Sequence, residues 1–323
     1  MPALKTRAGL CAALSSVLIV AGCGGNEEGT PAIAESGPVG EGGTLVWAVA
    51  DQLVSADPLE ASTRAEEIAT RQVNEPLTAK LAGPFDAERR VPGLAVDARS
   101  SSGATIWTFE LRSGVSFQDG KPFDASAVLA NAVRWQTTAA GRSLLPDLIS
   151  VDSPSPDQVR FVLAEPDPAF PKRLATPALG IVSPRALVPR SGEGAVLGSS
   201  SRTGTGPFEI RQRDDSLALL ARNTTWWGSA AKVELGPALD QIVLRVTPSP
   251  SLRLAQLDAG DAQLADDLDP ESAQQARNDP LLSVLPSADG AFLGVERSVR
   301  GVDSGREIPL LSSAWLTRVT VAD

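Results

Sequence analysis

Few side chains in this sequence have the types and spacing to do chemistry. The adjacent carboxylates Asp266-Asp267 and Asp214-Asp215 are the nearest approach to an acid–base pair, the equipment of glycoside hydrolysis. Neighbouring residues diverge on a strand, and both pairs lie in polar stretches, so the expectation for each is a solvated surface. The sequence has no His and no Tyr, which excludes a His-dependent nucleophile triad, a His-ligated zinc site and a facial metal triad. Its two Cys are Cys11 and Cys23, and Cys11 falls in an apolar leader, so neither an internal disulfide nor a thiolate cluster is available to the rest of the chain. Gly204-Thr205-Gly206-Pro207-Phe208 is a glycine turn, but it lacks both the Gly-Lys-Ser/Thr ending and the dinucleotide-binding spacing, so it reads as structural rather than phosphate-binding.

The elements that must position these residues are of mixed type. Thr44–Val49 is an apolar strand, and Thr63 with Glu66 three residues later forms a capping box for a helix that carries Ile68, Ala69 and Val73. Trp107, Phe109 and Leu111 alternate with Thr108, Glu110 and Arg112, as on a half-buried strand. Asp119-Gly120 suits a tight turn. Asp124 then caps a helix with Val128, Leu129, Ala132 and Val133 on one face. Residues 136–157, rich in Pro, Ser and Asp, read as loop. Alternation returns at Val159, Phe161 and Leu163, at Leu217, Leu219 and Ala221, and at Ile242, Leu244 and Val246. Ser249 and Gly260 bracket a helix with Leu254, Ala255 and Leu257 inward, and Asp269-Pro270 starts another. Trp47 and Trp107 lie in alternating strands and belong in a core. Trp226-Trp227 is open, because consecutive strand residues face opposite sides. Segment 191–206, rich in Gly and Ser, reads as mobile.

Length allows one large or two ordinary domains, and 42% hydrophobic residues is enough for a substantial core. Lys5, Arg7, the apolar run Ala8–Val20 and then Val20-Ala21-Gly22-Cys23 have the layout of an export signal. Residues 1–22 are therefore expected to be a signal peptide and 23–43 a flexible tether. Loss of the two leader cations takes the formal charge from −10 to −12, which argues against a nucleic-acid partner.

Trp107, Phe109, Leu111, Arg112, Gly114, Val115, Phe117, Asp119, Gly120, Pro122, Phe123, Ala125 and Val128 together resemble the signature of the dipeptide/oligopeptide/nickel-binding type of ABC transporter extracytoplasmic solute-binding proteins, family 5. Ser55–Leu59, Asn74-Glu75-Pro76-Leu77, Val91–Ala95, the Gly204–Phe208 turn, Arg222-Asn223 with Trp226-Trp227, Leu257–Asp261 and Leu310–Asp323 resemble further marks of that family. Residues 20–23 resemble a bacterial lipobox, in which Cys23 is the acylated lipid-attachment residue.

The resemblance implies an α/β fold: a periplasmic-binding-protein-like type II (cluster C) lobe of mixed sheets with flanking helices, formed by residues 44–323, with the second large lobe missing. It implies a substrate-binding lipoprotein of an ABC importer, with no enzymatic activity, no cofactor and no metal, expected as a monomer on the extracytoplasmic face of the bacterial plasma membrane. Its partners would be a short peptide or other small solute, the permease and ATPase subunits, and the membrane through the N-terminal lipid. Alignment on Asp57-Pro58 puts the first-lobe contact segment at Ser62, Thr63 and Arg64, where the competing reading is a helix cap for Ser62 and Thr63 and plain solvation for Arg64. Trp227 is carried as a residue that lines the cleft. The alternative is a truncated or degenerate relative acting as an envelope docking module without tight ligand binding.

Overall fold

The strand β1 (Thr44–Val49) is central because both of its faces are apolar: Leu45, Trp47 and Val49 face one core, while Val46 and Ala48 face another. Such a strand needs cover on both sides. The computed structural model describes residues 42–78, 93–190, 194–197, 202–230, 239–280, 282–286 and 293–297. The leader with Cys23, the tether up to residue 41, Val91-Pro92 and Leu310–Asp323 lie outside the described residues.

The described strands in chain order are β1, β2 (Ala95–Ser101), β3 (Ile106–Leu111), β4 (Leu148–Ser155), β5 (Gln158–Leu163), β6 (Leu187–Arg190), β7 (Gly194–Leu197), β8 (Phe208–Arg213), β9 (Leu217–Arg222), β10 (Gln241–Val246), β11 (Leu264–Ala265), β12 (Leu282–Pro286) and β13 (Leu293–Arg297). The helices are α1 (Arg64–Val73), α2 (Ala125–Thr137), α3 (Ala139–Leu144), α4 (Phe170–Arg173), α5 (Trp227–Ala230), α6 (Pro250–Ala259) and α7 (Pro270–Asn278).

A mixed seven-stranded sheet runs in the order β12-β13-β11-β1-β10-β9-β8, with β1 parallel to both β10 and β11. α6 makes the crossover between those two parallel partners. On one face α1 packs Ala65, Ile68, Ala69 and Val73 against Leu45, Trp47, Phe208, Leu220 and Leu244. On the other, Leu254 and Leu257 of α6 and Ala273 and Ala276 of α7 cover Val46, Ala48 and Val243.

A four-stranded antiparallel sheet, β2-β3-β5-β4, carries the third core. Phe109 and Phe161 meet edge to face at 5.5 Å, with Phe170 at 5.3 Å from Phe161, and Trp107 donates its indole N–H to the Asp167 carbonyl at 3.1 Å. α2 adds Ala125, Val128, Ala132 and Trp135 to this core. Trp47 and Trp107 are both core residues, 3% and 7% exposed, as their alternation predicts.

The helix starts expected from local residues are present: the Thr63/Glu66 capping box, the Asp124 cap and the Ser249 cap, with Gly260 closing α6 in the left-handed region at φ 82°. Asp119-Gly120 makes its turn with Gly120 at φ 81°. Gly204 is required by a close approach, since a Cβ there would lie 1.8 Å from the Val73 carbonyl oxygen.

Several expectations are corrected. Residues 136–157 are not loop: Thr138 caps α3, and β4 follows as an edge strand, where Pro154 needs no ladder donor. Val133 is exposed and Ala255 lies outward, while Arg134 and Arg253 are buried, because Asp57, distant in sequence, pairs with Arg134 and nearby carbonyls surround the Arg253 guanidinium. In β9 the buried pair is Ala218 and Leu220, with Leu217 and Leu219 partly buried under the opposite core. Within segment 191–206, β7 pairs with β6, and Thr203 and Thr205 are fully buried.

Candidate ligand-binding site

The parallel strands β10, β1 and β11 all end on the same side of the sheet. Thr247 N–H donates to the Val49 carbonyl and Asp266 N–H to that of Ala48, at 2.8 and 3.1 Å. The carboxyl ends of parallel strands, where successive connections part, are the general location of ligand crevices in α/β folds. The N-terminus of α1 lies at this end, and with it Ser62, Thr63 and Arg64.

Glu66 organises the entry to α1. Its carboxylate accepts from the backbone N–H of Ser55 at 2.8 Å, of Ser62 at 2.9 Å and of Thr63 at 3.2 Å, and from the Ser62 hydroxyl at 3.2 Å. Burial alone would raise its pKa; the bonds from Ser62, Ser55 and Thr63 outweigh that and hold the carboxyl below the ordinary glutamate value. In return Thr63 Oγ1 accepts from Glu66 N–H at 3.3 Å. Ser62 and Thr63 are thus the cap of α1, and their hydroxyls are engaged there.

Arg64 is not solvated. Its Nε donates to Asp266 Oδ2 at 2.8 Å and a terminal nitrogen to Glu67 Oε2 at 3.1 Å, leaving the side chain 18% exposed. Asp266, read from sequence as a surface carboxylate, is buried, and the reason is this ion pair with a residue 202 positions away. Burial pushes its pKa up to about 6 against the opposing pull of Arg64 and the Trp47 indole. Asp214, by contrast, is exposed as expected, with its carboxylate held low, at about 2, by bonds led by those from Ser216. Arg253 backs the end of β11, donating to the carbonyls of Asp266 at 2.8 Å and Thr247 at 2.6 Å, and to that of Asp267, which has φ 53°.

Trp227 lies in a second cluster. It is not a strand residue: β9 ends at Arg222, and Trp227 opens α5. Trp226 is buried and Trp227 partly buried. Both indoles donate to Glu75, Trp227 to Oε2 at 2.8 Å and Trp226 to Oε1 at 3.3 Å. The Arg112 guanidinium stands 4.1 Å from the centre of the Trp227 ring.

Sequence reasoning singled out Ser62, Thr63, Arg64 and Trp227. The structure ties Ser62 and Thr63 to Glu66, Arg64 to Asp266, and Trp227 to Glu75 and Arg112. Glu75 and Arg112 were visible only as members of family-like motifs, and Asp266 was singled out only as half of an adjacent carboxylate pair expected on the surface. Cys23 lies outside the described residues. Among the described residues no group of His, Cys, Asp and Glu is placed to hold a metal ion, and no helix is long and apolar enough to cross a membrane.

Residues 89–300 match the family model of the bacterial extracellular solute-binding proteins, family 5 (middle). The chain belongs to this family. This family 5 solute-binding protein is 32% identical over 222 residues to a di/tripeptide-binding protein 2 of Pseudomonas aeruginosa, a match covering 61% of the chain and 40% of that relative. It is 27% identical over 226 residues to the glutathione-binding protein GsiB of Escherichia coli strain K12, covering 68% and 41%. Among solved structures it resembles a periplasmic binding protein DppA of Helicobacter pylori in complex with the peptide STSA, with TM-score 0.63 and 24% identity over 77% of this chain and 51% of that one. An ABC transporter substrate-binding protein of Sinorhizobium meliloti gives TM-score 0.63 over 75% and 48%. The family 5 chain therefore spans about 40% of the length of these curated relatives and about half that of the solved structures. The shared fold is the periplasmic-binding-protein type II α/β fold.

Proposed function

We propose that this chain captures a short peptide or similar small solute and delivers it to an ABC permease whose ATPase subunits supply the energy, acting as a binding subunit and catalysing no reaction. The observation that carries the reading is the placement of Ser62, Thr63 and Arg64, the contact segment expected from the family resemblance, at the carboxyl ends of β10, β1 and β11. The resemblance to a di/tripeptide-binding protein and to a solved structure holding a peptide supports peptides as the solute class.

With Arg64 already paired to Asp266 and Glu67, the segment offers a neutralised wall rather than a bare cation. A peptide held largely by backbone hydrogen bonds suits such a wall better than an anion does, and the chain's formal charge of −10 adds to that preference. Affinity in a clamshell comes from both walls of a cleft, and in this reading Ser62, Thr63 and Arg64 stand on one of them.

Residues 1–22 act in this proposal as an export signal, Cys23 as the lipid-bearing first residue of a monomer anchored on the extracytoplasmic face, and residues 23–43 as its tether. Cys23→Ala then releases the protein from the membrane fraction.

The test is thermal unfolding with and without a pool of short peptides. Ligand binding to the native state alone raises the transition temperature by mass action. A transition indifferent to the pool removes the capture role and leaves a docking module without tight ligand binding.

A further inference from the structure

The segment Val73–Leu77 passes from one core to another: Val73 is packed with α1 and the seven-stranded sheet, Leu77 with the four-stranded sheet. Glu75 sits between them, its carbonyl accepting from Ile181 N–H at 3.0 Å. Its side chain gathers the remaining strands of the junction. Oε2 accepts from the Thr205 hydroxyl and the Trp227 indole, both at 2.8 Å, and Oε1 accepts from the Trp226 indole at 3.3 Å. Arg112, just past the end of β3, lies over the Trp227 ring and donates from Nε to the Gly93 carbonyl at 3.2 Å.

We propose that Glu75 is a positioning residue whose negative charge holds Trp227, and through it Arg112, at the junction of the two cores. A carboxylate is acceptor-only, with room for all three donors; a protonated carboxyl converts one oxygen into a donor. Thr205 can reverse its hydroxyl and accept that proton. An indole only donates, so protonation at Oε2 weakens the Trp227 anchor without any local substitute.

The titration falls where it can matter. The residue keeps some exposure, but its carboxyl is enclosed, and desolvation raises its pKa to about 7 against the bonds from Trp227, Thr205 and Trp226 and the charge of Arg112. Among the described residues Arg112 is the charged group acting on it; the cap after α1 contributes the neutral Asn74 beside it, the 203–206 turn contributes Thr205, and the entry to α5 contributes the indoles of Trp226 and Trp227. The coupling of Glu75 to Trp227 stands on this geometry. Only its consequence for solute capture rests on the reading of Trp227 as a cleft residue.

The experiment is tryptophan emission of the full chain from pH 5.5 to 8.5, for wild type, Glu75→Gln, Thr205→Val and Trp227→Phe. Wild type is expected to titrate with a component near 7, Glu75→Gln to lose that component while keeping any change near 6 that belongs to Asp266 and the Trp47 indole, and Trp227→Phe to lose most of the amplitude near 7. Thr205→Val removes a donor that favours the anion, so its midpoint moves to higher pH, which a purely structural Glu75 would not produce. A flat wild-type profile, or the same titration retained in Glu75→Gln, overturns the proposal. If Glu75→Gln fails to fold, an unchanged midpoint in Thr205→Val overturns it. Peptide-dependent stabilisation, measured separately, is indifferent to these outcomes: its absence beside an intact titration removes only the capture reading.

Discussion

Asp57 and Arg134 form an ion pair in which each side chain is 1% exposed, joining the segment after β1 to helix α2 across 77 positions of sequence. Asp57 Oδ1 also accepts from Leu59 N–H at 3.0 Å, so the carboxylate shapes its own turn as well as meeting the guanidinium. The pair ties the element carrying the candidate contact segment to the four-stranded-sheet core. Removing one partner leaves a buried charge without its counter-charge. Arg134→Ala should therefore lower stability by about 3–5 kcal/mol in urea unfolding, and the loss should shrink when Asp57→Asn is added. An Arg134→Ala loss below about 1 kcal/mol would contradict this.

The raised carboxyls make stability depend on pH with a definite sign. Glu75 titrates near 7 in the folded state against 4.5 for an ordinary glutamate, and Asp266 near 6 against 3.8. Between those limits the folded state holds more protons than the unfolded one, so stability falls as pH rises from about 4 to 7 through these groups. Glu66 has the opposite sign: its depressed pKa contributes stability present above 4.5 and lost as pH falls through its folded value. The melting temperature should accordingly be higher near pH 5 than near pH 7.5. Asp266→Asn and Glu75→Gln should each flatten that slope; a maximum above pH 7 would count against it.

The cap of α1 offers a graded test. Thr63→Ala deletes one side-chain acceptor and should cost about 1 kcal/mol. Glu66→Ala strands the backbone N–H groups of Ser55, Ser62 and Thr63 together, so it should cost more, about 2–3 kcal/mol. The comparison is read from denaturant midpoints at fixed slope, and equal losses would show that the reciprocal box is not the source.

What was legible in the sequence was local. Thr63 and Glu66 are three residues apart, Asp124 precedes its helix, and β1, β3 and β5 announce themselves by apolar content within six residues each. Partners far apart along the chain were not legible. Asp266 looked like a surface residue because nothing within a few positions neutralises it, whereas Arg64, at the start of α1 and 202 positions away, does. Arg134 displaced Val133 from the inward face for the same reason, once Asp57 came to meet it, whereas Arg253 displaced Ala255 because the carbonyls of Thr247 and Asp266, nearer in sequence, fold round its guanidinium. The family signature itself was dense enough to read, yet it spoke for the scaffold, and the contact of Glu75 with Trp227 became visible only when the segment after α1 met the start of α5 in space.

The most direct measurement for solute capture at the carboxyl ends of β10, β1 and β11 is amide hydrogen exchange of the full chain, with and without the pool of short peptides. Slowed exchange concentrated in residues 51–64 and 264–268 is the predicted result. Exchange unchanged throughout, or slowed only on the four-stranded sheet, would contradict the placement of the site.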